Sequence, residues 1–224
     1  MYCGNCGKQT GDTNRYCEHC HFDLIHIQKL LNEGDEDESE DESEDEFRSA
    51  AAVARRCLVL CGVVAASRNK DRLTIVSWLK SEGLWKDASP QERSFLQSKK
   101  PTNRQLINAS WRVEALYLLL WALRHIASIE VGKTPAEPPR LKGLLPFLGP
   151  TSDFITNSEL RPQVEIFDMN EKVYEAHWSV RNARVNSTPA PEDIDPGVIM
   201  ERHYGINWLM GYCGQSWDDV STDT

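Results

Sequence analysis

Four cysteines near the N-terminus have the spacing of a metal site. Cys3 and Cys6 form one Cys-x-x-Cys pair, and Cys17 and Cys20 form a second pair after ten intervening residues. Each pair brings two thiolates to one side of a tight turn, and two such turns complete a tetrahedron of sulfur around a zinc ion. The spacing therefore predicts a zinc ribbon over residues 1–24, against the alternatives of a redox dithiol or a chance pattern.

The predicted zinc ion has a structural role. Four thiolates fill the coordination sphere and leave no open position for the water molecule that catalysis would require. His19 and His21 could each replace a thiolate, but four paired cysteines make an all-thiolate site the first choice. The segment resembles the short zinc ribbons at the start of many bacterial proteins, and this resemblance implies a small module that docks a protein partner.

The charge of the chain argues against nucleic acid as a partner. Residues 1–24 contain only Lys8 and Arg15 as basic groups, and a zinc ion held by four thiolates adds formal negative charge. Neutralising phosphates requires a basic face, which this segment lacks. The net charge of −9 arises in residues 33–46, where eleven residues are acidic and none is basic. We therefore expect a protein partner.

The acidic residues lie in a segment, residues 25–46, that separates two modules. Like charges repel one another and residues 33–46 offer nothing apolar to bury, so the sequence predicts a disordered, extended linker. The C-terminal part of the tract could instead join the next helix, since glutamate has good helix propensity. The tract is interpreted either as a spacer or as a polyanion that binds a basic surface.

Cysteine usage and hydropathy indicate a cytoplasmic protein without a membrane span. Cys57, Cys61 and Cys213 lie in apolar surroundings and do not suggest a disulfide scaffold. The N-terminus has neither the basic nor the apolar segment of a signal peptide. The longest uninterrupted apolar run, residues 115–123, has nine residues, less than half of the roughly 20 that span a bilayer.

From residue 47 onward the pattern is helical, and it predicts an all-α domain over residues 47–224. Helices are predicted at residues 47–66, 70–81, 90–98, 102–127, 151–160, 165–185 and 195–212. Ser89, Pro90 and Glu92 form the capping-box signature that starts one of them. The run at residues 115–123 is apolar on every side, which indicates a helix surrounded by other helices.

Four separated segments of this domain resemble a bacterial family. They are SWRVEALYLLLWAL (110–123), HWSVRNAR (177–184), ERHYGINWL (201–209) and WDDVSTDT (217–224). In this order they resemble the family known as domain of unknown function 4272. The resemblance covers residues 47–224 and implies an uncharacterised, largely helical domain, with no activity and no catalytic residues to carry over.

The same segments contain the charged residues that could form a functional site. They are Arg112, Glu114, Arg181, Glu201, Arg202, His203, Asp218 and Asp219. Arg112 and Glu114 point about 200° apart on a helix, so we expect them to face different neighbours. One interpretation is an ion-pair network that holds the C-terminal segment against the central helix, because buried charges are costly unless they are paired.

The other interpretation is an enzyme or a small-ligand site. Glu114, Glu201, His203 and Asp218 could act as general acids, bases or metal ligands if they shared one cleft. However, Glu201 and His203 do not share a helical face, and the Glu-x-x-His and His-x-x-x-His spacings of bundle metal sites are missing. We therefore expect a non-catalytic interaction or adaptor protein, in which the zinc ribbon docks a protein partner.

Overall fold

The computed structural model describes residues 46–68, 70–141 and 143–224, without the side chain of Arg140. The predicted zinc ribbon and the linker, apart from its last residue, lie outside the described residues. Within the described ranges the chain forms helices and no β-strand. This confirms the prediction of an all-α domain.

Seven α-helices of five residues or more make up the described part of the chain. They are α1 (Ala50–Ser67), α2 (Arg72–Ser81), α3 (Pro90–Gln97), α4 (Asn103–Ala122), α5 (Ser152–Thr156), α6 (Gln163–Val185) and α7 (Pro196–Met210). A single helical turn at Pro138–Leu141 and short 3₁₀ turns at Trp85–Asp87, Tyr212–Gly214 and Trp217–Asp219 join or follow them. Helices α4 and α5 end earlier than the sequence predicts.

Two helix starts follow from capping side chains that the sequence marks. At α3, Ser89 Oγ accepts a hydrogen bond from the N–H of Glu92 at 3.2 Å, and the Glu92 carboxylate accepts one from the N–H of Ser89 at 2.8 Å. At α7, the Asp195 carboxylate accepts two backbone N–H bonds from the first turn, at 2.8 and 3.1 Å. These bonds satisfy N–H groups that have no partner within the helix.

The helix α1 begins later than predicted because the residues before it bond elsewhere. The N–H of Arg48 donates to the carbonyl of Leu209 at 2.8 Å, and its guanidinium donates to the carbonyl of Gln215 at 2.9 Å. The ring of Phe47 contacts that of Phe167 edge-on, with centroids 5.3 Å apart. This segment therefore lies against the C-terminal end of α7 and against α6, and Ser49 caps α1.

The helix α4 lies at the centre of the core. It packs between α1 and α7, and α6 packs on α7. The second half of α4 is buried on every side, which confirms the prediction made from its apolar run. Because α4 contacts helices on both sides, any polar residue in its second half must find a partner inside the protein.

Gly205 allows α4 and α7 to approach closely. A Cβ at this position would lie 3.3 Å from both Cα and Cβ of Ala115 on α4. That distance is shorter than an ordinary van der Waals contact, so even one methyl group would push the helices apart. The pair of small residues therefore brings the neighbouring long side chains of α4 and α7 within reach of each other.

The helix α1 resembles a membrane-spanning helix in its length and hydropathy. Among the described helices, it alone has the length and hydropathy that would suffice to cross a membrane. However, 61% of its residues are buried inside the protein. A core helix of a soluble protein has the same composition, so this feature is weak evidence for a span.

Candidate functional site

The four predicted zinc ligands, Cys3, Cys6, Cys17 and Cys20, lie outside the described residues and stay a prediction. In residues 46–68, 70–141 and 143–224, no three His, Cys, Asp or Glu side chains lie together as a metal site would require. The candidate functional groups of the helical domain are its ion pairs, its histidines and the residues of a cleft.

Glu114 of α4 and Arg202 of α7 form a buried ion pair. The Nη2 and Nε groups of Arg202 donate to Glu114 Oε2 at 2.8 and 3.2 Å. The two side chains are 0% (Arg202) and 2% (Glu114) exposed. Burial raises the pKa of Glu114, and the Arg202 guanidinium opposes this shift. The pair joins two helices whose residues are distant in the sequence.

The remaining polar atoms of this pair bond to the loop after α4. Glu114 Oε1 accepts a hydrogen bond from the N–H of Ala136 at 2.8 Å. Arg202 donates to the carbonyls of Glu130, Val131 and Thr134. Since the hydrogen-bonding groups of both side chains are used within the protein, the arrangement is that of a structural ion pair, in which each buried charge has its partners.

Arg112 and Glu201 form a second ion pair between the same helices. Arg112 Nη1 lies 3.1 Å from Glu201 Oε2, and the guanidinium lies over the ring of Tyr204, 4.1 Å from its centroid. Burial would lower the pKa of Arg112, but the Glu201 carboxylate and Tyr204 outweigh it and the pKa is raised. Burial raises the pKa of Glu201, and the Arg112 guanidinium opposes this shift.

Arg112 and Glu114 therefore pair with adjacent residues of one helix, and the expectation that they face different neighbours was wrong. The physical reason is the close contact of Ala115 with Gly205. At this separation, long side chains on either flank of the contacting face of α4 can both reach α7. The direction in which a side chain leaves the helix limits the contacts of a short residue more than those of an arginine or a glutamate, whose charged groups lie several bonds from the backbone.

His203 of α7 bonds to His177 of α6. Their Nδ1 atoms lie 2.8 Å apart, so one ring donates and the other accepts. Burial lowers the pKa of both histidines, to about 4 for His203, and the nearby Arg181 lowers both further. Near neutral pH the two rings are therefore uncharged and engaged with each other. His203 is on a different face from Glu201, as the sequence predicts.

The acidic residues of the C-terminal segment bond to other groups than arginine in the described structure. Asp218 Oδ2 accepts a hydrogen bond from the N–H of Gln91, in the first turn of α3, at 2.9 Å. Asp219 Oδ2 accepts one from the hydroxyl of Ser216 at 2.6 Å. The interpretation of an ion-pair network was therefore wrong for this segment, although it holds between α4 and α7.

The C-terminal segment is held instead by Trp217 and by hydrogen bonds to its backbone. Trp217 is buried, and its ring contacts those of Tyr204 and Trp208 edge-on, with centroids 5.0 and 5.4 Å apart. The hydroxyl of Tyr204 donates to the carbonyl of Trp217. Further donors reach the carbonyls of Ser221 and Thr222, from Asn207 at 2.8 Å and from Arg181 at 3.4 Å.

One buried ion pair was missed by sequence reasoning. Arg56 of α1 lies 2.8 Å from Glu92 of α3, and its guanidinium lies 4.6 Å from the centroid of the Trp217 ring. Glu92 Oε1 and Arg56 Nε have no hydrogen-bond partner among the described residues. An arginine inside an apolar helix such as α1 was the available signal, because such a residue requires an acidic or aromatic partner elsewhere.

Cys57 and Cys61 are shielded from reaction by their position on α1. Cys57 is buried and Cys61 is partly buried, as their apolar surroundings predicted. Burial raises the pKa of both thiols, to about 12 for Cys61. The thiolate is the nucleophilic form of cysteine, so neither residue is suited to nucleophilic catalysis near neutral pH.

A cleft of about 400 Å³ opens between α3, α4 and the 3₁₀ turn at Trp217–Asp219. The residues that could contact a ligand there include Gln91, Glu92, Asn108, Arg112, Trp217 and Asp218. Of the candidate residues chosen from the sequence, only Arg112 and Asp218 line it. The cleft could offer a small polar molecule a guanidinium, a carboxylate and an aromatic ring.

Comparison with known proteins gives a family and no closer relative. A family model described as a domain of unknown function (DUF4272) matches residues 38–220. The matched region begins nine residues before the helical domain predicted from the sequence, inside the acidic tract. No curated protein matches the chain, and no solved structure matches it.

Proposed function

The chain belongs to the DUF4272 family, and on that premise we propose that it is a non-catalytic interaction or adaptor protein in the cytoplasm. In this proposal the N-terminal zinc ribbon docks a protein partner, and the helical domain is the stable body to which the ribbon is attached. The acidic tract is a spacer between the two.

The observation that carries this proposal is the internal pairing of the residues that would otherwise be acids and bases. Glu114 and Glu201 bond to arginines of a neighbouring helix, and His203 bonds to His177. A general acid or base must reach a substrate proton, directly or through one water molecule. These groups instead join α4, α6 and α7, which supports a structural role for them.

The proposed docking module rests on the cysteine spacing. A four-thiolate zinc site replaces the hydrophobic core that a segment of 24 residues cannot form. Such a module exposes most of its surface to a partner. The near-neutral charge of residues 1–24 favours a protein surface over nucleic acid.

The test compares the full chain with a Cys17→Ser variant. We expect about one zinc ion per wild-type chain by elemental analysis, since four thiolates complete one tetrahedral site, and less in the variant. Chemical cross-linking followed by mass spectrometry should identify a partner attached to wild type through residues 1–24. The variant should lose that partner while its far-UV circular dichroism keeps the helical signal.

Cys213→Ser is the matched control, because it removes an exposed thiol outside the predicted ribbon. It should retain both zinc and partner. A partner captured equally well by the zinc-free variant would contradict the docking role of the ribbon. If the Glu201→Ala variant retained zinc but lost the partner, the docking surface would lie on the helical domain and not on the ribbon.

A small-ligand-binding function is the second candidate, and the cleft beside Arg112 and Trp217 favours it. Arg112 Nη1 bonds to Glu201, while no hydrogen bond involves its Nε or Nη2 group in the described structure. These donors could bind a carboxylate, and Asp218, which also lines the cleft, could bind an amine. Free amino acids are therefore the first ligands to test.

The cleft is tested by thermal denaturation of the full chain with a panel of amino acids. Binding to the folded state should raise the melting temperature, and above the dissociation constant the shift should grow with the logarithm of the ligand concentration. Asn108→Ala should abolish the shift if the cleft is the site, because this exposed residue lines it. A panel that leaves the melting temperature unchanged would remove this second candidate.

A further inference from the structure

The helix α6 has two apolar faces: one is buried in the core, and the other is largely exposed in the described structure, with Phe47 in contact with Phe167 at one end of it. Ile166, Met169 and Val173 are buried on the core side. Nine large apolar side chains are exposed among the described residues, and five of them lie on this helix. They are Val164, Phe167, Tyr174, Trp178 and Val185. A concentration of exposed apolar side chains on one element is typical of an interaction surface.

Most of these side chains belong to one regular stripe. The stripe consists of Phe167, Glu171, Tyr174, Trp178, Arg181 and Val185. Successive positions are four, three, four, three and four residues apart, which is the spacing of the contact seam in a coiled coil. All six residues are exposed. Glu171 and Arg181 are the two charged members.

The order of residue types in the stripe reads the same from both ends, with opposite charges. From the N-terminal end it is apolar, acidic, aromatic, aromatic, basic and apolar. The spacing is also symmetric about the middle of the stripe. A two-fold interface requires such a surface, because each residue must complement the one that the axis places opposite it.

A single antiparallel register satisfies the whole stripe. Phe167 of one copy then faces Val185 of the other, and Tyr174 faces Trp178. In the same register Glu171 faces Arg181, which forms an ion pair at each end of the aromatic centre. A parallel pairing would instead place Glu171 against Glu171 and Arg181 against Arg181, and like charges in contact are unfavourable.

We propose that two copies of this chain associate through the α6 stripe as an antiparallel helix pair. This association goes beyond the adaptor function and does not depend on the zinc ribbon. The helix of 23 residues is about 34 Å long. A strip of that length and about 10 Å width is smaller than the roughly 800 Å² that each partner buries in a standard stable complex. The dimer should therefore be reversible and dependent on concentration.

The first experiment measures the mass of the full chain by sedimentation velocity over a series of protein concentrations. Wild type should shift from monomer to dimer as concentration rises. Val185→Glu should remain a monomer, because it places a charge in the seam. Leu73→Glu on α2 is the matched control, since Leu73 is 80% and Val185 is 81% exposed, and it should dimerise like wild type.

Two outcomes of this experiment would overturn the proposal. One is a wild-type chain that stays monomeric at every concentration. The other is a dimer that Val185→Glu does not weaken, which would place the interface elsewhere. Circular dichroism checks that both variants keep the helical content of wild type.

A charge-swap series tests the antiparallel register and remains decisive if Val185→Glu does not fold. Glu171→Arg and Arg181→Glu should each weaken the dimer by about tenfold or more, because each creates two like-charge contacts. The double variant should restore it, since the swapped charges again face each other. Failure of the double variant to recover would refute the antiparallel pairing.

Discussion

Arg202 donates two hydrogen bonds to one carboxylate oxygen of Glu114, across the contact between α7 and α4, although the two residues are 88 positions apart in the sequence. The pair is fully enclosed, and its other polar atoms bond to the loop after α4. It therefore joins three parts of the chain at once. Removing either charge would leave the other buried without a counter-charge.

We expect Glu114→Gln to lower the free energy of unfolding by about 3 to 5 kcal/mol, the usual range when one partner of a buried ion pair is removed. Glutamine keeps the shape of the side chain, so the loss reports mainly the missing charge. Urea denaturation followed by circular dichroism measures it.

The pair of Arg161 and Glu165, in which the carboxylate is accessible to solvent, is the matched control for this prediction. Its N–O distance is also 2.8 Å, but the Glu165 side chain is 45% exposed. Glu165→Gln should therefore cost less than about 1 kcal/mol, as surface pairs do. Equal losses in the two variants would contradict a special role for the buried pair.

Gly205→Ala should destabilise the protein by about 1 to 3 kcal/mol, the usual range for overpacking, although alanine is the better helix former. The added methyl group would press against Ala115 and separate α4 from α7. Gly149→Ala is the control, because its nearest neighbour would be 3.8 Å away. A Gly205→Ala variant at least as stable as wild type would show that the helices can move apart freely.

Asp218→Ala should lower stability by about 1 kcal/mol, the usual size of a hydrogen bond that satisfies a helix N-terminus. Its carboxylate accepts the N–H of Gln91. Asp219→Ala should change stability by at most about 0.5 kcal/mol, as most exposed substitutions do. Thermal denaturation of both variants checks this. A loss above about 3 kcal/mol at either position would instead indicate a buried arginine partner.

Stability should fall in acid because of His203. Its pKa in the folded protein is about 4, below its ordinary value, so the unfolded chain binds the proton first as pH falls. The contribution of this group to the free energy of unfolding is therefore fully present above about pH 6.5. It is lost as the pH falls from about 6.5 to 4, by up to about 1.4 kcal/mol per pH unit. His177 shifts in the same direction.

This pH dependence is measured by urea denaturation at a series of pH values, for wild type and for His203→Gln. The variant should show a shallower decrease below about pH 6.5, the ordinary histidine pKa. NMR titration of the ring nitrogens provides a second readout, which includes the effects of the neighbouring Arg181 and Asp223. A His203 ring that titrates at its ordinary pKa would contradict the buried histidine pair.

Local sequence determined the helices and the buried position of α4. Ser89, Glu92 and Asp195 mark helix starts because a cap acts on backbone groups within three residues of itself. An apolar run on every side of a helix has to be covered by other helices. Three of the four segments that resemble the family lie within the region that its model matches, and the fourth begins inside it. These inferences needed no knowledge of how the helices pack.

The partners of the charged residues were decided by the tertiary structure. Arg112 and Glu114 both bond to α7 because Gly205 lets that helix come close, and Glu92 bonds to an arginine 36 residues away. Charge alone made an arginine partner for Asp218 plausible, yet its carboxylate caps α3. Which long side chains meet depends on how helices cross and how near they come, and no local spacing in the sequence contains that information.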